Sequence, residues 1–293
     1  MVVCSFGMYF AAQCSWSSNS IIMKKILLAF DGSHFSEGAF NFARQLNDLH
    51  RVLLTGIFIP QISYANLWSY ADGMVGPAYV PILEKDDTEV VNKNIERFEA
   101  VCREQNIPYT VHKDMFDFAL PELRRETRFA DLLIIGSDNF YENIAGPNDY
   151  MKDALQNAEC PVIVVPETYL FPQVNVLAYD GSEASVYAIK QFAYLLPELC
   201  NQETVLVYSS SDYDELPNQE RIEELVKQHF MDVTLLKLDM DPHKDFSKWI
   251  NNHTNAILVS GSYGRSTISQ LFKKSFVDNI ITTQKLPVFI AHK

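Results

Sequence analysis

The sequence predicts an α/β protein built from two tandem units, each a five-stranded parallel sheet flanked by helices. Apolar runs of strand length alternate with amphipathic helical stretches along the chain. The runs are rich in Val, Ile and Leu, which is typical of parallel strands buried on both faces. An internal repeat supports the division into two, because residues 25–33 resemble residues 175–182 and each segment ends in Asp-Gly-Ser.

The elements are expected in the same order in both copies. Each Asp-Gly-Ser turn leads into a helix, at residues 37–49 and 183–196, and Ser36 is the expected N-cap of the first. The later elements are expected in pairs: strands at 52–59 and 204–208, helices at 84–105 and 218–230, strands at 109–113 and 233–238, strands at 130–137 and 255–262, and strands at 160–165 and 287–291. An insert at residues 60–87, rich in aromatic residues, Pro and Gly, is expected to form a packed flap or interface loop.

The domain limits follow from the residues that separate these patterns. Turn-forming residues at 166–172 divide a first unit, residues 23–168, from a second unit, residues 172–293. Residues 1–22 contain neither Lys nor Arg, whereas Met23 is followed by two lysines and then directly by the first strand. We therefore expect residues 1–22 to be an N-terminal extension and Met23 to be the natural start.

Composition and charge exclude several classes of function. A net charge of −13 would repel the phosphate backbone of nucleic acid. The five cysteines are scattered without zinc spacing, which favours reduced thiols in a cytoplasmic protein. No apolar run is long enough to cross a bilayer. The sequence thus predicts a cytoplasmic protein without a nucleic-acid or membrane partner.

A ligand site is expected where the strand order of each sheet reverses, at the carboxyl ends of the strands. Glycine-bearing turns follow the first and fourth strands, and a flavodoxin-like order that places these strands side by side would bring the turns together. In the second half the fourth strand leads into Gly261-Ser-Tyr-Gly264-Arg265-Ser266. Its glycines would let backbone N–H groups approach a phosphate closely. On spacing alone, a structural turn explains them equally well.

The other polar clusters predict neither a catalytic residue nor a metal site. The alternating acidic residues and His at 239–245 fit a polar turn before a helix. Ser33 and Ser182 lack the Gly-x-Ser-x-Gly pattern of a nucleophile elbow, so turn stabilisation or N-capping is expected of them. His34 is interpreted as a surface loop residue, since no second His or Cys is tied to it by sequence.

Three motifs together resemble the universal stress protein (UspA) family over residues 24–293. They are the paired Asp-Gly-Ser turns, the fourth-strand motif Ala-Asp-Leu-Leu-Ile-Ile-Gly-Ser that begins at Ala130, and the fifth-strand motif Cys-Pro-Val-Ile-Val-Val that begins at Cys160. The resemblance implies flavodoxin-like units of the adenine nucleotide alpha hydrolase type. It also implies that the last strands of the two units pair edge to edge, giving an intramolecular pseudo-dimer, with further association into a homodimer left open.

The same resemblance implies a nucleotide site in the second half. The family's nucleotide-binding pattern falls on Gly261, Gly264 and Ser275, with Asp180 at the strand-one position near the nucleoside. Arg265 is included as a further phosphate-binding candidate. ATP is the implied ligand.

Both halves depart from that pattern. Lys274 stands where the family has its last Gly, and its side chain would either block the backbone or offer a phosphate a positive charge beside Lys273 and Arg265. In the first half only Gly136 matches, and acidic residues at 138 and 149 would oppose a phosphate. We expect the first half not to bind ATP.

Three functional hypotheses follow from these observations. The first is a cytoplasmic stress-response protein, acting in signalling or protection, whose second half binds ATP. The second is a module without a nucleotide that binds an unknown protein partner. Slow ATP hydrolysis ranks last, because beyond Asp180 the sequence offers no recognisable general base or Mg²⁺ ligands.

Overall fold

The computed structural model describes residues 23–59, 63–67, 78–82, 85–113, 119–138, 149–209, 216–238, 249–250, 253–261 and 286–291. The strands are β1 (Lys24–Phe30), β2 (Val52–Phe58), β3 (Ser63–Leu67), β4 (Ala78–Ile82), β5 (Tyr109–Lys113), β6 (Leu132–Gly136), β7 (Val162–Val165), β8 (Val174–Tyr179), β9 (Glu203–Ser209), β10 (Asp232–Leu238), β11 (Ala256–Ser260) and β12 (Val288–Ile290). The helices are α1 (Glu37–Leu49), α2 (Lys85–Glu104), α3 (Ala119–Thr127), α4 (Asp149–Asn157), α5 (Glu183–Leu195) and α6 (Gln219–His229), with a short 3-10 helix at Leu199–Asn201.

Ten of these strands form one sheet in the order β10-β9-β8-β11-β12-β7-β6-β1-β2-β5. The N-terminal half contributes β1, β2, β5, β6 and β7, and the C-terminal half contributes β8 to β12. Neighbouring strands within each half are parallel, which confirms the predicted α/β class with five parallel strands per unit. Each half has the order third, second, first, fourth, fifth. In flavodoxin the third strand lies between the first and the fourth, whereas here it lies at the outer edge and the first and fourth are neighbours.

The two halves meet where β7 pairs with β12 in antiparallel orientation, with Ile163 opposite Phe289. This is the edge-to-edge pairing that the resemblance implied. It covers two sheet edges that would otherwise be exposed. A side-chain ion pair also joins the halves, since Lys24 Nζ lies 3.1 Å from a Glu198 carboxylate oxygen.

Alternate strand residues form an apolar layer on each face of the sheet. On one face Phe30 and Tyr179 pack with residues of α1, α2, α5 and α6. On the other face Leu133 and Leu258 pack with residues of α3 and α4. Full burial of such a side chain stabilises the fold by about 1.5–3 kcal/mol. The near-continuous apolar strands of the sequence are therefore explained by helices on both faces.

Serine hydroxyls cap the first helix of each half. Ser36 Oγ accepts a hydrogen bond from the Ala39 N–H at 3.3 Å, and Ser182 Oγ accepts one from the Ser185 N–H at 3.1 Å. The predicted N-cap at Ser36 is confirmed. Ser182 likewise has the capping role expected of it rather than a place in a nucleophile elbow.

The insert of the N-terminal half contains an antiparallel hairpin of β3 and β4, in which Ser63 lies opposite Ile82. Residues 60–62, 68–77 and 83–84 of that insert, and residues 1–22, lie outside the described residues. Within the described part of the chain, no helix combines the length and the apolar character that a membrane span requires.

Candidate functional site

The first and fourth strands of the C-terminal half lie side by side, and Asp180 and Gly261 follow their carboxyl ends. Leu177 of β8 is opposite Val259 of β11. A Cβ on Gly261 would collide with the carbonyl oxygen of Ala184 and the backbone N of Ser185. The absence of a side chain at this position thus lets the first turn of α5 pack directly against the end of β11. Two of the predicted site residues are brought to one edge of the sheet.

The repeated Asp-Gly-Ser motif forms the same turn in both halves. Gly32 and Gly181 have φ values of 88° and 78°, in the left-handed region that favours glycine. Oδ1 of the preceding aspartate accepts a hydrogen bond from the serine N–H, at 2.9 Å in both turns. This side-chain-to-backbone bond is a general way in which Asp stabilises a turn. The motif therefore has a structural role in each half before any ligand is considered.

Asp31 is occupied by donors from its own chain. Its Oδ1 also accepts hydrogen bonds from the His34 N–H at 2.8 Å and from Ser33 Oγ at 3.0 Å. Its Oδ2 lies 3.2 Å from His34 Nδ1, and the residue is only 6% exposed. Ser33 Oγ approaches the same Nδ1, at 3.0 Å. A catalytic triad needs the serine and the aspartate on different ring nitrogens, so this cluster is not one.

Asp180, the counterpart of Asp31, is less enclosed. It is partly exposed, and within the described residues its carboxylate accepts a hydrogen bond from the Ser182 N–H and no other. The difference has a simple cause in the chain. Residues 33–35 separate Gly32 from the N-cap of α1, whereas Gly181 directly precedes the N-cap of α5.

A second contact closes the corresponding edge of the N-terminal half. Oε2 of Glu167 accepts a hydrogen bond from the Gly38 N–H, in the first turn of α1, at 3.0 Å. The N–H of Glu167 donates to Asp138 Oδ2 at 2.7 Å. The start of a helix attracts anions because its first N–H groups lack partners within the helix. The chain's own carboxylate therefore takes the place that an external anion would have.

The remaining predicted site residues, Gly264, Arg265 and Ser275, lie outside the described residues, as do Lys274 and the acidic cluster at 239–245. Among the residues that are described, no group of three His, Cys, Asp or Glu could hold a metal ion. Burial raises the pKa of the thiols of Cys102, Cys160 and Cys200 to about 12. These thiols are therefore protonated and unreactive at neutral pH.

Sequence reasoning missed Ser260, the last residue of β11. It is 1% exposed, and its hydroxyl has no hydrogen-bond partner among the described residues. Ile135 has the corresponding place in β6, one residue before the fourth-strand glycine. The sequence did contain a signal for this residue, because the C-terminal copy has a polar Ser260 where the N-terminal copy has the apolar Ile135. A buried hydroxyl without a partner costs about 1–3 kcal/mol and usually has a further role.

Sequence reasoning also missed a groove between α5 and α6, which encloses about 460 Å³. Its floor is the buried Tyr179, whose hydroxyl donates to the Pro217 carbonyl oxygen at 2.7 Å. Two basic residues, Lys190 and Arg221, line it together with apolar and aromatic side chains. We refer to it as the α5/α6 groove.

Comparisons with known proteins agree with this fold. No family model matches the sequence, and no curated protein matches it. A universal stress protein from Archaeoglobus fulgidus is 17% identical, over 92% of this chain and 96% of that chain, with a TM-score of 0.63. A Pseudomonas aeruginosa protein named for the same family is 12% identical, over 92% and 93% of the two chains, with a TM-score of 0.53.

The cytoplasmic domain of a prokaryotic cation chloride cotransporter is also similar. It is 9% identical, over 92% of this chain and 95% of that chain, with a TM-score of 0.52. Identities this low establish a shared fold and leave function to the site. The chain has the fold of universal stress proteins, and the resemblance seen in its motifs is confirmed at that level.

Proposed function

We propose that the chain is a cytoplasmic universal stress protein, acting in stress signalling or protection, whose C-terminal half binds an adenine nucleotide. One observation carries the proposal: among the described residues Asp180 accepts a single hydrogen bond, whereas the equivalent Asp31 is buried and accepts several. A carboxylate that is not already satisfied can accept hydrogen bonds from the hydroxyl groups of a ribose.

The neighbouring backbone suits the rest of such a ligand. Gly261 directly follows β11, Asp180 directly follows the neighbouring strand β8, and α/β proteins bind ligands at such a switch point of the sheet. Beyond it, Gly264, Arg265 and Ser275 are the candidates for holding the phosphates. Backbone N–H groups at glycine positions and an Arg side chain are both effective phosphate ligands. ATP and AMP are the nucleotides to test first.

The N-terminal half is proposed not to bind a nucleotide. Its aspartate is enclosed by His34 and Ser33, and Glu167 lies at the start of α1. A phosphate there would have to displace a carboxylate and approach the neighbouring Asp138. Repulsion between these negative charges disfavours that exchange.

Isothermal titration calorimetry with AMP and ATP tests the proposal. We expect one nucleotide per chain. Asp180→Asn keeps an oxygen for the Ser182 N–H but removes the charge, and it should weaken binding at least about tenfold, because a hydrogen bond to a charged group contributes about 1.5–3 kcal/mol. Asp31→Asn is the matched control in the other half and should leave the affinity unchanged.

Two results would contradict the nucleotide proposal. One is the absence of heat with either nucleotide at millimolar concentration. The other is unchanged binding in Asp180→Asn or in Gly264→Val, which places a side chain in the expected phosphate loop. Mass spectrometry of denatured protein, purified without added ligand, would independently identify any nucleotide that remains bound.

A protein-interaction module is the alternative function. The pairing of β7 with β12 joins the two units into one sheet without a second chain, and the similar cotransporter domain has the same fold as part of a transporter. This alternative predicts no nucleotide in either experiment. It also predicts that Asp180→Asn and Asp31→Asn give the same result as the wild type in calorimetry with AMP and ATP.

A further inference from the structure

We propose that the α5/α6 groove is a second binding site, for a small organic anion with an aromatic or other apolar body. The inference goes beyond the nucleotide proposal, because the groove adjoins the turn of Asp180 through Gly181 and Ser182 but is lined by neither Asp180 nor Gly261. It rests on three observations: the shape of the groove, the way the N-terminal half fills the same space, and the charges along its walls.

The groove has the size of a small-molecule site. Its volume of about 460 Å³ lies within the range of about 300–1,000 Å³ that is common for such sites. Val186 and Tyr187 of α5 face Leu225 of α6 across it. The hydrogen bond from Tyr179 to Pro217 ties the segment before α6 to the end of β8, so the floor is fixed. These walls fit a flat apolar body better than a long peptide.

The N-terminal half fills the corresponding space with its own rings. Phe35 stacks on Phe30 with ring centroids 4.8 Å apart, Phe40 lies 5.5 Å from Phe35, and Phe98 of α2 lies 5.8 Å from Phe40. Three aromatic side chains therefore occupy the space between α1 and α2 above the end of β1.

The C-terminal half lacks the two rings that its first helix and turn would supply. No residue corresponds to Phe35, because Gly181 directly precedes the N-cap Ser182. Val186 has the helix position of Phe40, since each is the fourth residue of its helix. The described residues of the C-terminal half thus leave open the space that rings occupy in the N-terminal half, over a floor that is otherwise equivalent.

The basic residues of the groove make it attractive to an anion. Lys190 is partly buried, and neither it nor Arg221 forms an ion pair with a carboxylate among the described residues. Glu183 also lines the groove but is exposed at the start of α5, so the two cations outnumber it. In a chain of net charge −13, a groove lined by two cations and one carboxylate is a local excess of positive charge.

The N-terminal half again provides the contrast. Arg97 forms an ion pair with Glu37, and its guanidinium lies 4.6 Å above the ring of Phe35. Arg44, which has the helix position of Lys190, lies 3.5 Å from Asp48. Arg97 and Arg44 are thus engaged by side chains of their own half, whereas Lys190 and Arg221 have no carboxylate partner among the described residues. An anionic group on an apolar body would satisfy both the charges and the walls of the groove.

Fluorescence titration with 1-anilinonaphthalene-8-sulfonate tests the proposal, because this probe joins an aromatic body to one negative charge. We expect saturable binding of one probe per chain. Its uncharged analogue N-phenyl-1-naphthylamine should bind about a hundredfold more weakly, as loss of the charge-assisted contacts to both Lys190 and Arg221 predicts. Lys190→Gln and Arg221→Gln should each weaken the anionic probe about tenfold and leave the neutral probe unchanged.

Val186→Phe places in the groove the residue that α1 has at this position, and it should reduce binding of both probes at least about tenfold by filling the space. Lys227→Gln is the matched control, because Lys227 is also on α6 but pairs with Glu223 at 2.7 Å. It should bind both probes like the wild type. Circular dichroism and thermal unfolding of each variant would exclude probe binding to unfolded protein.

The proposal is overturned if Lys190→Gln and Arg221→Gln bind the anionic probe as the wild type does, or if Lys227→Gln weakens it equally. Lys190 is partly exposed and Arg221 is exposed, so both Gln variants are expected to fold. They therefore test the proposal even if Val186→Phe does not fold. Saturating AMP should not displace the probe, and displacement would show that the groove is not a second site. Failure of AMP to bind in calorimetry would reject the nucleotide proposal and leave this inference standing.

Discussion

Substituting Ala for Gly261 tests how the candidate nucleotide site is built. A Cβ at this position meets the backbone of Ala184 and Ser185, in the first turn of α5. Backbone atoms of a packed helix cannot rotate away, so the start of α5 must move or β11 must distort. Gly136 is the equivalent residue in the N-terminal half, where an added Cβ meets the side chain of Ser36 at 2.5 Å from Oγ and 2.8 Å from Cβ.

The two substitutions should therefore differ in their cost. Neither glycine has positive φ, so Ala itself would stabilise the protein by about 0.4–1 kcal/mol through the entropy of the unfolded chain. At Gly136 the Ser36 hydroxyl can rotate away at the loss of its cap, about 1 kcal/mol, with some further crowding at Cβ. These two terms leave a net loss of about 0.5 kcal/mol, to which the crowding at Cβ adds. At Gly261 overpacking against backbone costs about 3 kcal/mol, which leaves a net loss of about 2.5 kcal/mol.

Urea unfolding followed by far-UV circular dichroism would measure both free energies of unfolding under the same conditions. Gly261→Ala should also weaken any nucleotide affinity, since it moves the N-terminus of α5 away from the end of β11. A Gly261→Ala protein as stable as the wild type, or more stable than Gly136→Ala, would refute the close packing on which the geometry of the site depends.

Three further predictions concern groups outside that contact. Hydrogen bonds from Arg128 lower the pKa of Glu159 from its ordinary value of 4.5 to about 2, so its contribution to stability is present above pH 4.5 and is lost as the pH falls toward 2. The difference in unfolding free energy between the wild type and Glu159→Gln should therefore vanish over that interval, and a constant difference would contradict the assignment. In a variant with Cys4 and Cys14 replaced by Ser, only Cys102, Cys160 and Cys200 remain, and burial raises the pKa of their thiols to about 12. These three thiols should resist Ellman's reagent at pH 8 until the protein unfolds. Tyr179→Phe leaves the Pro217 carbonyl oxygen without its donor and should lower the free energy of unfolding by about 1 kcal/mol; no loss in urea unfolding would show that this bond does not hold the floor of the groove.

Most of the fold could be predicted because its evidence is local and repeated. The strand before Asp31 and the strand before Asp180 share a pattern of apolar residues followed by the same turn. Strand order could be inferred only in part: the first and fourth strands are neighbours as expected, but the third strand lies at the outer edge. Local periodicity identifies strands without specifying which neighbours they pair with.

The candidate site was less accessible to sequence reasoning. Asp180 and Gly261 could be placed together because topology brings the ends of neighbouring strands to one edge. The sequence could not predict that Glu167 occupies the equivalent edge of the N-terminal half, since Glu167 lies 129 positions along the chain from its partner Gly38. The α5/α6 groove was also not foreseen, because it results from rings that are missing, and only the packed N-terminal half reveals where those rings would be.

The two halves together indicate how one fold can be closed in one copy and open in the other. In the N-terminal copy, residues 33–35 supply both the donors that enclose Asp31 and the ring that fills the space between α1 and α2. The C-terminal copy lacks this segment, and both Asp180 and the α5/α6 groove are more open there. One short difference in the turn after the first strand thus contributes to both features, together with Val186 in place of Phe40 in the groove. Since the two proposed sites share this cause, inserting residues 33–35 between Gly181 and Ser182 should weaken nucleotide and anionic probe together, whereas Lys190→Gln should affect the probe alone.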